Sequence, residues 1–212
     1  MLFFALPNAY AQFPGAALIA ATEAGDAARV QALLARGASV KARDARGRTA
    51  LLAATHTNRV EAARLLIAAG ADVNAKDDIQ DSAFLYAGAE GRLEILRLTL
   101  AAGADLTSTN RYGGTALIPA CHHGHVETVR ELLKTKIAID HVNRLGWTAL
   151  LEAVILGDGG PAYVQIVRLL VDHRANPLIV DREGVSPLAH ARRRGVREIV
   201  QILEYTGARW AV

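Results

Sequence analysis

Residues 47–77 read GRTALLAATHTNRVEAARLLIAAGADVNAKD. A glycine is followed by the tetrapeptide Thr49-Ala-Leu-Leu, an Ala-rich helical stretch, a turn, and a second helix from Val60 onward. Apolar residues in that second stretch recur at three- and four-residue spacing, the mark of one buried helix face. The segment is one copy of a pattern. Ser82-Ala-Phe-Leu, Thr115-Ala-Leu-Ile, Thr148-Ala-Leu-Leu and Ser186-Pro-Leu-Ala repeat the tetrapeptide at intervals of 33, 33, 33 and 38 residues. A fixed period of this size means a stacked-repeat architecture. Gly47, Gly113, Gly146 and Gly184 each stand two residues before a tetrapeptide, and Gln80 takes that place in the second repeat.

The second helices align as well, at 60–77, 93–106 and 126–140. Glu61, Glu94, Glu127 and Glu198 fall in their first turn, where the helix dipole favours a carboxylate. Gly70, Gly103 and Gly207 follow their ends, where glycine adopts a left-handed cap at little cost. With these features the chain resembles the ankyrin-repeat family, whose unit of about 33 residues pairs a β-turn with two helices under a T-P-L-H-x-A signature. The resemblance runs from about Gly15 to the C-terminus. It implies an all-α solenoid with a cap at 13–43, repeats at 44–76, 77–109, 110–142 and 143–180, and a closing unit at 181–212. The histidine of the signature is absent throughout. Leu52, Leu85, Ile118, Leu151 and Ala189 replace it, so an apolar contact is expected there.

Bulk composition agrees with a helical stack. Of 212 residues, 51% are hydrophobic but only 5% aromatic, so Ala, Leu and Val carry the apolar content and favour close helix packing. A net charge of +3 does not announce nucleic acid. Cys121 is the single cysteine, which rules out an intramolecular disulfide. No apolar run approaches the ~20 residues a membrane span needs. Residues 1–11, MLFFALPNAYA, end in a small-x-small pattern and are read as the tail of a secretory signal, with the mature chain starting at Gln12 and a periplasmic or secreted location; the alternative is a hydrophobic N-terminal arm over the first helix and a cytoplasmic location.

The stretch CHHGH at 121–125 invites a metal-site reading. The repeat register accounts for it otherwise. Cys121 occupies a small buried position held by Thr55 and Gly88 elsewhere, Gly124 makes the inter-helix turn, and His125 matches the family's turn histidine. His122 and His123 fill the two variable positions, and neighbouring side chains at a helix end diverge by ~100°. No metal and no cofactor are therefore expected.

The resemblance implies that function resides on the concave face built by fingertips and first helices. Its third and fourth repeats supply Arg111, Tyr112, His122, His123, Arg144, Leu145 and Trp147, rich in the residue types that anchor protein interfaces. The fourth repeat also carries five extra residues around Gly157-Asp158-Gly159-Gly160-Pro161, a run of turn formers expected to project as a loop, with Asp158 as a contact. Arg192, Arg193, Arg194 and Arg197 read as the solvated face of a terminal repeat. No nucleophile elbow, no H-E-x-x-H and no phosphate-cradling glycine motif is present. The expectation is a monomeric, non-catalytic module that binds an unidentified protein, with acid sensitivity conferred by His122 and His123. The alternatives are a metal or small ligand near Cys121–His125, and weak nucleic-acid binding through the C-terminal arginines.

Overall fold

The computed structural model describes residues 14–210, with side chains described through residue 206. The expected leader at 1–11 lies outside the described residues. Among the described residues, twelve helices follow one another in six pairs: α1 (Pro14–Ala24) and α2 (Ala27–Ala35), α3 (Ala50–His56) and α4 (Val60–Ala68), α5 (Ala83–Ala89) and α6 (Leu93–Ala101), α7 (Leu117–His122) and α8 (Val126–Leu133), α9 (Ala149–Leu156) and α10 (Pro161–Asp172), α11 (Pro187–Arg194) and α12 (Arg197–Trp210). Odd-numbered helices pack on one another in one layer and even-numbered helices in a second. Among the described residues there is no strand, only one isolated bridge between Arg43 and Thr49.

The tetrapeptide itself starts each first helix. Thr49, Ser82, Thr148 and Ser186 act as N-caps, each hydroxyl accepting the backbone N–H three residues on at 3.2 Å. Their own carbonyls take the N–H of the fourth residue, as in Glu152 to Thr148. The third repeat breaks the rule because Pro119 holds that fourth position and has no N–H to give. There α7 begins late, at Leu117, and the Thr115 hydroxyl is left buried without a partner.

First helices are walled in on several sides, which is why they are built from small residues. Ala50 through Thr55 are all buried, and a Cβ at Gly88 would come within 2.8 Å of the Ala116 Cβ on the next helix. The expected apolar contact in place of the family histidine is present: Leu52 and Leu151 are fully buried. A leucine truncated at such a site costs about 2–5 kcal/mol.

Two expectations are corrected. Gly70 and Gly103 do end their helices, at φ +84° and +86°, but α12 runs through Gly207 to Trp210. Glycine inside a helix costs only about 1 kcal/mol. What stops the earlier helices is the chain beyond, where Ala71 bonds back to Leu66 and Ala104 to Thr99. The five-residue insertion is also not a projecting loop. It lengthens α9 by one residue, the turn by one and α10 by three, relative to the second repeat. Pro161 at the first helical position makes the extension favourable.

Candidate functional site

Every fingertip hangs on one side chain. Asp44, Asp77, Asn110, Asn143 and Asp181 stand at the same register, and one oxygen of each accepts two backbone N–H groups across the turn, at 2.8–3.1 Å. The glycine two residues before the next tetrapeptide is left-handed in four fingertips, and Gln80 adopts the same conformation at φ +69°. That position decides how neighbouring fingertips meet. A Cβ at Gly113 would lie 2.8 Å from the Arg144 Cγ, so glycine lets Arg144 cross the preceding fingertip. Its backbone N–H and its Nη1 then donate to the Tyr112 and Arg111 carbonyls, each at 2.9 Å. Arg182 reaches the Arg144 carbonyl in the same way. Arg111, next to Gln80 rather than glycine, instead lies 4.8 Å from the Tyr112 ring and 3.7 Å from Asp81.

Between these fingertips and the ends of α5, α7 and α9 is a cleft of about 470 Å³, within the range of ligand sites. Arg111, Tyr112, His122, His123 and Leu145 line it. Arg144, Trp147 and Asp158 are not among its walls. Arg144 is engaged as a bridge, Trp147 is half-buried with its backbone N–H donating to Asn143 Oδ1, and Asp158 caps its own loop by accepting the Gly160 N–H.

Tyr86, Asn143 and Glu152 are among the residues of the cleft that escaped sequence reasoning. Tyr86 stacks on His56 with ring centroids 3.8 Å apart, and burial pushes the His56 imidazole below its usual value. Glu152 sits one turn into α9 and is 5% exposed. Its Oε1 accepts Asn143 Nδ2 at 3.0 Å, whereas its Oε2 is 3.6 Å from His122 Nδ1, beyond a hydrogen bond. Burial raises its carboxyl to about 7 against the smaller opposing effects of Asn143 and His123. A signal was present in the sequence: ALLEAVIL is an apolar helix with one charge in its middle.

The histidines of 121–125 pack side by side rather than splaying. The rings of His122 and His123 are 4.6 Å apart, and those of His123 and His125 5.8 Å. Their nitrogens turn elsewhere: His123 Nδ1 bonds the Ala89 carbonyl at 2.7 Å. His122 is held below its usual value by burial and then by His123, which works against the expected role as an acid sensor. Cys121 is fully buried and its thiol is pushed far up, by burial first, so no thiolate is available as a ligand or nucleophile. Among the described residues, no three His, Cys, Asp or Glu side chains form a metal-holding group.

The C-terminal arginines are partly structural. Arg194 donates to the Val154, Ile155 and Gly157 carbonyls, capping α9, and Arg192 pairs with Glu204 at 2.8 Å. A second depression of about 910 Å³ between α10 and α12 holds none of the candidate partner-binding residues. No helix among the described residues is long and apolar enough to cross a membrane.

Comparison with known proteins gives one consistent result. The family model for ankyrin repeats (three copies) matches residues 3–77 and 84–177, beginning inside the segment read as a leader. An ankyrin repeat domain from Acinetobacter baumannii AYE is 56% identical, with a TM-score of 0.87 over 90% of this chain and 97% of that one. The ankyrin repeat protein EF0377 is 41% identical with the same TM-score and coverage. The ankyrin repeat domain of Bcl-3, a member of the IkappaB family, is 30% identical with a TM-score of 0.81, over 90% and 86%. The ankyrin repeat protein YahD of Escherichia coli (strain K12) is 47% identical over 57 residues, which span 27% of this chain and 28% of YahD.

Proposed function

The chain belongs to the ankyrin-repeat family, whose repeats generally serve as protein–protein interaction modules, and from that premise we propose that it binds a partner protein across the concave face of its third and fourth repeats. One observation carries the reading. Of the large apolar side chains that remain exposed, Ile79, Tyr112, Leu145 and Leu156 all line the same cleft. Apolar exposure gathered in one place and rimmed by polar groups is the mark of an interaction site. Tyr112 and Leu145, 54% and 48% exposed, are its anchors. Arg111 holds a guanidinium at its edge, and His122 and His123 close one end.

The family is generally non-catalytic, and the buried Cys121 supports a binding rather than a catalytic role. Arg144 and Trp147 act in this reading by fixing the fingertips, and Asp158 by shaping the turn before α10. The protein works as a monomer in the periplasm, after removal of the leader at 1–11; intact-mass measurement of exported protein checks this by looking for Gln12 as the first residue.

The decisive experiment is affinity capture from a periplasmic extract with the parent and with a Tyr112→Ala, Leu145→Ala double variant. Both positions are exposed, so the variant keeps its fold by circular dichroism. A protein retained by the parent and lost by the variant supports this face as the binding surface. Equal retention by both moves the surface elsewhere on the solenoid.

A further inference from the structure

The walls of the cleft are acidic out of keeping with a chain of net charge +3. Among the described residues, Asp81, Glu90 and Glu152 line it against a single cation, Arg111, which faces Asp81 at 3.7 Å. Glu152 forms its floor. A buried carboxylate needs its lone pairs satisfied, because leaving a charge-bearing group unpaired in the interior is costly. Oε1 is satisfied by Asn143. Oε2 has no hydrogen bond within the chain: His122 Nδ1 lies 3.6 Å away, and no arginine or lysine among the described residues pairs with Glu152. The same cleft is lined by an aromatic ring, Tyr112, and two exposed leucines, Leu145 and Leu156. Such surfaces accept the apolar stem and flat head of a basic side chain.

Building on the concave-face reading above, we propose that the cleft recognises an arginine side chain of the partner protein, with its guanidinium donating to Glu152 Oε2 and its stem along Tyr112, Leu145 and Leu156. Arginine fits better than lysine. Its guanidinium is more weakly hydrated and stacks on aromatic faces, which lowers the cost of bringing it to a buried floor. The acid and the base then neutralise one another inside the site, where neither is neutralised by the chain itself.

The test is a heteronuclear NMR titration of the ¹⁵N-labelled full chain at pH 8, where Glu152 is ionised. The probes are acetyl-glycyl-arginyl-glycinamide, its uncharged citrulline counterpart and its lysyl counterpart. The arginyl peptide is expected to bind in the millimolar range and to shift the Asn143 side-chain amide and the backbone of His122. Citrulline, of the same shape without the charge, should bind about tenfold more weakly, the difference one charged hydrogen bond makes, with lysine between. In Glu152→Gln, isosteric and checked for fold by circular dichroism, the arginine preference should vanish. Leu145→Lys removes a stem contact from both peptides and adds a like charge only against the guanidinium, so it should weaken the arginyl peptide more than the citrulline peptide.

The proposal is overturned by equal binding of the two isosteres, by a preference that survives Glu152→Gln, by shifts outside the cleft, or by no binding at all. Putrescine binding more tightly than any of the peptides would also overturn it, reassigning the cleft to a small diamine. Partner capture that is lost in the Tyr112, Leu145 double variant but kept in Glu152→Gln sinks this inference alone. Capture unaffected by either variant sinks the concave-face reading with it.

Discussion

At the base of the fourth fingertip Asn143 donates Nδ2 to Glu152 on the following helix at 3.0 Å. At the base of the closing fingertip Asp181 accepts from His190 Nε2 at 2.6 Å. The four residues occupy two equivalent positions, nine apart in sequence in each case, with donor and acceptor exchanged. The consequences for charge are opposite. Glu152 has one neutral partner and lies deep, so burial raises it to about 7. Asp181 collects the Val185 N–H, the His190 ring and the Glu183 N–H, and is held below its ordinary value. The repeat therefore dictates where two polar groups meet. Which of them carries charge, and how readily, is set by the residue chosen at each place. A carboxylate tied by three donors in the closing repeat gives way to one with a single neutral donor in the fourth.

Removing the shared element of the fourth fingertip should do the most damage. Asn143→Ala strands the Leu145 and Trp147 N–H groups and the Glu152 carboxylate together. A loss of about 3 kcal/mol in urea unfolding is expected; a loss under 1 kcal/mol would mean the fingertip does not depend on this side chain.

Asn143→Asp makes the fourth repeat fail in a different way, by facing one carboxylate with another. We expect a loss of about 2 kcal/mol at pH 8 that fades as pH falls through about 7, where Glu152 takes up a proton and the repulsion ends. Thermal melts across that range read it directly, and a pH-independent loss would point to altered packing instead of charge.

Glu152→Gln should go the other way. Because the folded carboxyl is raised from 4.5 to about 7, folding favours its protonated form. The resulting stability is complete below the unfolded value and is lost as pH rises through the folded one. The variant should thus match the parent at pH 4 and exceed it by about 1 kcal/mol at pH 8, allowing for solvent screening. Equal stability at both pH values would remove the claim that Glu152 is buried at a cost.

The smallest effect belongs to His190→Gln. Asp181 is lowered by the Val185 N–H first and by His190 only in part, so its contribution is present above its ordinary value and fades as pH falls through the lowered one. The variant should shift only the acid end of the stability profile, upward in pH. A change confined to alkaline pH would contradict this account.

Much of the molecule was legible as a sequence because its information is periodic. The Thr and Ser caps at 49, 82, 148 and 186, the left-handed Gly70 and Gly103, and the buried Leu52 and Leu151 all follow from a residue and its register. The site was half legible for the same reason. Tyr112 and Leu145 lie at fingertip positions that the period exposes. Arg144 shares the register of Arg111 but not its fate, since the neighbouring fingertip offers glycine in one case and Gln80 in the other. Glu152 is not legible from the period, because Ala53, Tyr86 and Pro119 hold its register in the first three repeats.

The amino-acid sequence alone determined the repeat, its helical pairs, their caps and the family to which they belong, since each of these is fixed by interactions within about one period of 33 residues. It did not determine how the five inserted residues divide between helix and turn, which arginines bridge fingertips, or that three successive units close an acidic cleft over one unpaired carboxylate oxygen. Those features depend on contacts 33 to 41 residues apart, such as Arg144 with Arg111, Arg194 with Val154 and Tyr163 with the His122 carbonyl. Hydrogen bonds and burial of that kind exist only once neighbouring repeats have stacked, so only the tertiary structure could decide them.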